Sequence, residues 1–103
     1  MIQVKCSYHG KMLSSIIASG HAMYSDYGKD IVCSAVSSIV ITTINALIAL
    51  DSESLNYKLT NDGIKIEIKK TDKTTLTLID NMLELLMKLS KDYPKNIQVK
   101  EGV

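Results

Sequence analysis

Arginine, tryptophan and phenylalanine are all missing from this 103-residue chain, and proline occurs only once. Its basic residues are therefore all lysines, although arginine is the residue that makes bidentate contacts with phosphates and base edges. Aromatic platforms for stacking single-stranded nucleic acid would have to come from five tyrosines. The formal net charge is only +1. Because these absences weaken the case for nucleic acid, we expect no direct nucleic-acid partner.

Cysteine is scarce as well, since only Cys6 and Cys33 occur. Two cysteines do not make a disulfide framework. No signal-peptide pattern is visible, because the first five residues alternate apolar and polar side chains. The longest apolar stretch, residues 39–50, is interrupted by two threonines and an asparagine, so we expect no membrane span. A cytoplasmic, reducing location is expected, in which a thiol stays reactive.

The length and composition predict one soluble globular domain, residues 1–103. A chain of 103 residues has no room for a second domain of ordinary size. Hydrophobic residues make up 46% and charged residues 22%, which is typical of a soluble globular fold.

Hydrophobic periodicity predicts five strands and two helices. Apolar residues alternate with polar ones in residues 2–6, and residues 12–19 complete a first hairpin. A second hairpin spans residues 55–68 around the turn Asn61-Asp62-Gly63, where Asn and Gly tolerate a positive φ. Residues 97–99 form a last short strand.

Between the strands, apolar residues recur at helical spacing. A helix of about five turns is predicted to begin at Asp30, and a second is predicted from about Thr74 to Asp92, before Pro94. The predicted inward residues of the first helix are Ile31, Val32, Ala35, Val36, Ile39, Val40, Thr43, Ala46, Leu47 and Leu50. Those of the second are Leu76, Ile79, Leu83, Leu86, Met87 and Tyr93. The fold class is therefore α+β, of order β-β-α-β-β-α-β, with both helices packed on one face of a largely antiparallel sheet.

Cys33 is the candidate nucleophile because of where the first helix begins. With Asp30 as N-cap, Cys33 lies one turn into the helix, where the macrodipole and unpaired N–H groups favour a thiolate. The alternative is a small buried hydrophobe, which is the usual role of a cysteine on an apolar helix. Its place beside the Val32 and Val36 stripe puts Cys33 at the edge of the buried face.

His21 is the candidate base, in a loop bounded by Gly20 and Gly28. The two glycines are predicted hinges of a lid, since glycine absorbs changes of φ and ψ. A solvated loop histidine is the alternative interpretation of His21. His9 lies in a tight turn and is expected to be structural.

Several further residues have more than one interpretation. Asp30 either caps the helix, which its position favours, or orients His21. Ser37, with Ser34 and Ser38, lies beside the thiol, which is the better nucleophile, so these serines are expected to line a cleft or allow close helix packing. The histidines and cysteines lack the paired spacing of a zinc site, and no cofactor is expected.

The lysines at positions 65, 69, 70 and 73 form the densest basic cluster in the sequence. It is interleaved with Glu67 and Asp72, so we expect a solvated strand face and turn.

At this point a family resemblance becomes specific. The segment Gly20-His21-Ala22, then Gly28, Asp30-Ile31-Val32-Cys33 and Ala35-Val36-Ser37, resembles the ribosomal-processing cysteine proteases known as Prp. The match is dense from residue 20 to about residue 50, and continues along the chain as length and element order. Ser34 departs from the alanine that is common in the family, which is a small-for-small change.

The resemblance implies an activity. Members of the family are cytoplasmic bacterial endopeptidases that remove a short N-terminal extension from ribosomal protein L-twenty-seven, after a hydrophobic, aromatic-containing sequence. It also implies homodimers, an α/β sandwich, and a catalytic pair at His21 and Cys33. The competing class is a non-catalytic, ribosome-associated dimeric binding module in which Cys33 is inert. A thiol redox sensor ranks last, because Cys6 on a strand is a poor resolving cysteine.

Overall fold

Two hairpins, two long helices and a final strand make up the computed structural model, which describes residues 1–20 and 27–102. The strands are β1 (Ile2–His9), β2 (Met12–Ser19), β3 (Leu55–Leu59), β4 (Gly63–Ile68) and β5 (Ile97–Glu101). The helices are α1 (Tyr27–Leu50) and α2 (Lys73–Asp92). The predicted order of elements is confirmed.

One five-stranded sheet, in the order β3-β4-β2-β1-β5, organises the molecule. Three of its four pairings are antiparallel, and β1 pairs with β5 in parallel. The connections β2-α1-β3 and β4-α2-β5 therefore each join two parallel strands. The first connection runs from β2 toward the β3 edge of the sheet, and the second runs from the antiparallel strand β4 toward the β5 edge. Because crossovers between parallel strands are right-handed, these two reversals place both helices on the same face. The predicted α+β sandwich is confirmed.

The core lies between that face and the two helices. It is a single cluster of buried side chains to which every strand and both helices contribute. Its members include Val4, Ile16, Val36, Ile66 and Met82. Burial alternates along β1, so Ile2, Val4 and Cys6 face the helices while the residues between them face outward.

The buried stripe of α1 differs in part from the predicted one. Its fully buried members are Val32, Val36, Val40, Ile44 and Leu47. Ile44 was not predicted, whereas Ile31 and Leu50, predicted inward, are 61% and 67% exposed, and Ala46 is also exposed. Many apolar residues cover this helix on several sides, so periodicity alone does not select the packed stripe.

Helix α1 is also long and apolar enough, from Ile31 to Leu50, to cross a membrane by length and composition. The sequence-based exclusion was drawn on residues 39–50 only and does not hold for this longer helix. The core helix of a soluble protein passes the same test, and α1 contributes a full stripe to the core.

The second helix is close to its prediction. Ile79, Leu83 and Leu86 are buried as expected, and Thr75 and Met82 join them. Tyr93, predicted inward, is exposed. Thr75 is buried despite its hydroxyl because that group donates a hydrogen bond to the Asp72 carboxylate at 2.7 Å. This hydrogen bond is the main cause that lowers the pKa of Asp72.

Candidate active site

Cys33 lies on α1, deeper in the helix than the sequence suggested. The helix already includes Tyr27, so Asp30 is inside it and is not its N-cap, and Cys33 is the seventh residue rather than one turn from a cap. The first four N–H groups of a helix lack helical partners, and the field of its dipole falls off within the first turn. The helix start therefore acts on Cys33 more weakly than predicted.

The position of Cys33 at the edge of the buried stripe of α1 is as expected. The side chain is half-buried and packs against the core, beside the fully buried Val32. This is the edge position that the spacing from Val32 and Val36 predicts. A thiol at such an edge touches the core on one side and a cavity on the other.

A small cavity of about 90 Å³ adjoins Cys33. Its lining comes from four places in the chain: the start of β1, the end of β2, helix α1 and the turn before β5. The lining residues are Met1, Ile2, Gly20, Val32, Cys33, Lys95 and Asn96. The cavity therefore brings Cys33 together with Lys95 and Asn96.

Backbone hydrogen bonds hold the walls of this cavity. The N–H of Ile2 donates to the carbonyl oxygen of Asn96 at 2.8 Å, and the N–H of Asn96 donates to that of Tyr93 at 2.9 Å. On the opposite wall, the N–H of Gly20 donates to the carbonyl oxygen of Asp62 at 2.8 Å. These bonds tie the site to the β3–β4 turn and to the end of α2.

Gly20 is required at its position for two reasons. Its φ is +90°, a conformation that L side chains rarely adopt, and an added Cβ would lie 2.5 Å from the carbonyl oxygen of Met1. The residue that leads into the His21 loop is thus held by its backbone geometry against the start of β1. His21 and the rest of the predicted lid up to Asp26 lie outside the described residues.

Gly28, the other predicted hinge, is a residue of α1. The loop margin therefore lies earlier than the sequence suggested, and a hinge at Gly28 would have to open the first turn of a helix. Glycine is tolerated there because the helix end frays at low cost, although it is a weaker helix former than alanine.

The second cysteine is a contrast to the first. Cys6 is 0% exposed in the core. Burial, with a smaller contribution from the charge of Glu101, raises its pKa to about 11. It is therefore a neutral thiol near pH 7 and a poor nucleophile.

An apolar groove of about 210 Å³ begins one helical turn beyond Cys33. Ser37 and Ile41 line it from α1, and Leu59 and Ile64 line it from the second hairpin. Ser37 is four residues after Cys33, which is about 6 Å along the helix axis. Ser37 therefore lines a cleft, which is one of the two roles expected for these serines.

Other candidates lie elsewhere. His9 is exposed at the end of β1, about 23 Å along that strand from Ile2 at the cavity. Across the described part of the chain there is no group of three or more histidines, cysteines and carboxylates arranged to hold a metal ion.

Lys95 and Asn96 were missed by the sequence analysis. Both follow Pro94, which marks the end of α2, and no motif distinguishes them. They reach the cavity because β5 pairs in parallel with β1, in the register Ile2 opposite Ile97. That pairing joins residues almost a whole chain length apart, so local sequence gives no signal for it.

Comparison with known proteins identifies one family of cysteine proteases. The family model for the cysteine protease Prp matches residues 1–98. The ribosomal processing cysteine protease Prp of Staphylococcus aureus is 28% identical over 101 residues, covering 95% of this chain and 94% of that protein. The Bacillus subtilis protein of the same name is 27% identical over 103 residues, covering 92% and 91%.

Solved structures give the same result. A Streptococcus mutans protein superposes with a TM-score of 0.89 at 27% identity, covering 99% of this chain and 94% of that one. The Staphylococcus aureus ribosomal processing protease Prp, crystallised with a substrate peptide, superposes with a TM-score of 0.83 at 27% identity, covering 98% and 99%. A second crystal structure of that enzyme carries a covalently linked product peptide and superposes with a TM-score of 0.82 at 29% identity, covering the same shares. With a half-buried thiol beside a cavity and a family model matched over residues 1–98, the chain belongs to the cysteine protease Prp family and is a cysteine protease.

Proposed function

We propose that this chain is a cytoplasmic endopeptidase that removes the N-terminal extension of ribosomal protein L-twenty-seven, with Cys33 as nucleophile. The observation that carries this assignment is the place of Cys33, half-buried on α1 at the wall of a cavity. The relatives that are similar along the whole chain are ribosomal processing proteases, and one has been crystallised with a covalently linked product peptide. A buried thiol such as Cys6 cannot form such an adduct without opening the core.

The proposed mechanism is acyl transfer. His21 accepts the proton of the Cys33 thiol, and the thiolate attacks the scissile carbonyl carbon to form a tetrahedral intermediate. His21 then gives the proton to the leaving amine as the C–N bond breaks, which leaves a thioester. Water, activated by His21, hydrolyses the thioester and restores the thiol. The nucleophile and the acid–base group both belong to the chain, so the reaction requires no cofactor.

The oxyanion donors are assigned to backbone N–H groups at the start of α1. Because α1 includes Tyr27, these are the N–H groups of residues 27–30. The N–H of Cys33, the seventh residue of the helix, lies too far into it to be one of them. Asp30 lies inside the helix and not at its N-cap, and we propose for it the other role considered above, the orientation of His21.

The apolar groove supports a substrate with hydrophobic and aromatic residues. It lies one turn beyond Cys33 and is lined by Val36, Val40, Ile41 and Leu59, with Ser37 at its side. A peptide whose scissile bond lies at Cys33 can place an apolar side chain there, at a distance of about two residues of extended chain. We assign this groove to the residues of the extension that precede the cut.

The direct test is cleavage of a full-length L-twenty-seven precursor, read by intact mass. Wild type is expected to release the extension, Cys33→Ser is expected to release none, and His21→Ala is expected to be nearly as inactive. Cys6→Ala, which removes the other thiol, is the matched control and is expected to retain turnover. Residual cutting by Cys33→Ser at the wild-type position would refute the assignment of the nucleophile.

A further inference from the structure

A row of lysines crosses the face of the sheet that the helices leave open. The strand registers pair Lys58 with Lys65, Lys65 with Ile17, Ile17 with Lys5 and Lys5 with Lys100. Four of five neighbouring strands therefore contribute a lysine to a single line. At the usual strand spacing the line is about 19 Å long.

All five side chains of this row belong to the outward set. On each strand the alternate residues face the helices, with Val4, Ile16, Leu55, Ile66 and Ile97 buried, and successive residues of a strand point to opposite faces. Lys58, Lys65 and Lys100 are exposed, and Lys5 is half-buried at the centre.

The charge of this row is largely uncompensated. On this face of the described sheet, Glu67 is the single acidic side chain, and it lies 3.7 Å from Lys65. Lys58 is directly opposite Lys65, and Lys5 is directly opposite Lys100. Like charges in directly opposite positions destabilise a sheet, so packing of this chain alone gives no reason for the arrangement.

This row is a different feature from the basic cluster that the sequence suggested. Within that cluster, Lys70 pairs with Asp51 at 2.6 Å and Lys69 lies 3.8 Å from Glu53. Lys65 alone belongs to the row. The register has therefore assembled a new basic surface from lysines that are far apart in the sequence.

Uncharged polar side chains border the lysine row on both sides. Gln3, Ser19 and Gln98 occupy the adjacent register positions toward the start of β1, and Ser7, Ser15 and Asn56 occupy those on the other side, together with the charged Glu67. Lysine, serine, asparagine and glutamine are among the groups that contact phosphate and sugar oxygens in nucleic-acid complexes.

We propose that this lysine row binds the phosphate backbone of RNA. Along the described strands, the large apolar side chains of this face are Ile17 in the row and Met12 at the far end of β2, too little to insert into a lipid surface. The lysine row and the polar positions on either side of it contain no aromatic ring on which a base could stack. We therefore expect the contacts with RNA to be made to its phosphates and to show little sequence preference. The choice of RNA over another polyanion rests on the proposed function, in which the substrate is a protein that binds ribosomal RNA. RNA binding at this face would be at odds with the expectation, drawn from composition, of no direct nucleic-acid partner.

Salt-dependent binding of a fluorescein-labelled 20-nucleotide single-stranded RNA tests the proposal. The variant Lys58→Gln/Lys65→Gln/Lys100→Gln removes three charges of the row. The control Lys11→Gln/Lys73→Gln/Lys91→Gln removes three exposed charges elsewhere. Each phosphate contact contributes about 0.7 to the slope of log affinity against log salt. We expect the row variant to bind at least about ten-fold more weakly in 50 mM salt, with a slope smaller by about 2, and the control to bind like wild type.

Equal affinities of the two triple variants would overturn the proposal, because net charge alone would then explain binding. Tighter binding of wild type to vesicles of phosphatidylcholine with 20% phosphatidylserine, or to polyglutamate, than to RNA would overturn it as well. Both variants are expected to cleave an isolated extension peptide at the wild-type rate, which shows that they are folded. If the proposed protease function is wrong, wild type also does not cleave the peptide, whereas the difference in RNA binding between the two triple variants remains.

Discussion

Single residues in this molecule are constrained by backbone contacts that sequence patterns do not display. The Asn61-Asp62-Gly63 turn predicts a positive φ, yet the φ of Gly63 is not in the left-handed region. Gly63 is needed because a Cβ there would lie 1.9 Å from the carbonyl oxygen of Ala18 on the neighbouring strand. Glycine is therefore needed here for the close approach of two strands, and not for a positive φ in the turn.

Gly20 provides the sharpest residue-scale prediction. Gly20→Ala is expected to lower the free energy of unfolding by at least about 2 kcal/mol, because the substitution adds a clash with Met1 to an unfavourable φ. Gly10→Ala is the matched control, with a φ of +65° but nothing within 4 Å of the added Cβ, and it is expected to cost about 1 kcal/mol. Urea denaturation measures both.

The same pair of variants connects stability with function. Gly20 lines the Cys33 cavity, so Gly20→Ala is also expected to lower peptide cleavage under conditions where the protein remains folded. Gly10→Ala, at the β1–β2 turn, is expected to cleave normally. Equal losses of stability in the two variants would show that the Met1 contact does not constrain Gly20.

At the scale of elements, α1 contributes side chains both to the core and to the walls of the cavity and the groove. Its buried stripe from Val32 to Leu47 holds the core, while Cys33, Ser37 and Ile41 lie beside that stripe on the cavity and groove. The helix is rich in β-branched residues and is weak in isolation, so its rigidity comes from packing against the sheet. A nucleophile on such an element is held by the core itself.

The groove on α1 is tested by placing a charge in it. Ile41→Lys is expected to raise KM for the extension peptide about ten-fold with little change in kcat, because an apolar subsite contributes roughly 1–3 kcal/mol to binding. Leu85→Lys is the control, since Leu85 on α2 has the same 40% exposure as Ile41. Steady-state kinetics on both variants provide the measurement, and an equal KM would place the substrate elsewhere.

At the scale of the whole molecule, three surfaces have different characters. The open face of the sheet is basic and polar, the Cys33 end carries the cavity and the groove, and α1 leaves Ile31 and Leu50 exposed. We propose that these two side chains contact the second copy in the homodimer that the family resemblance implies, and not a membrane.

The oligomeric state follows as a prediction. A chain of 11.4 kDa is expected to give about twice that mass by light scattering after size exclusion. Ile31→Lys/Leu50→Lys is expected to shift the mass to the monomer, because it charges the proposed interface, whereas Leu85→Lys is expected to leave the dimer intact. A monomeric wild type that co-sediments with lipid vesicles would favour a membrane role for α1 instead.

Much of the fold and part of the site were predictable from the sequence. Strand alternation, turn residues and helical periodicity gave all seven elements in the correct order, because each depends on residues close together in the chain. The edge position of Cys33 followed from its offset to Val32 and Val36. The start of α1 was placed three residues late, since Asp30 is a good N-cap by type but helical structure already includes Tyr27.

What the sequence by itself determined about this protein is therefore local. It determined the elements, the α+β class, and a helix-borne thiol in a segment that resembles one protease family. Only the tertiary structure decided which residues surround that thiol, and that four separate lysines form one row. Both depend on strand register, and register is a property of paired strands from distant parts of the chain, stabilised by the shared burial of one face.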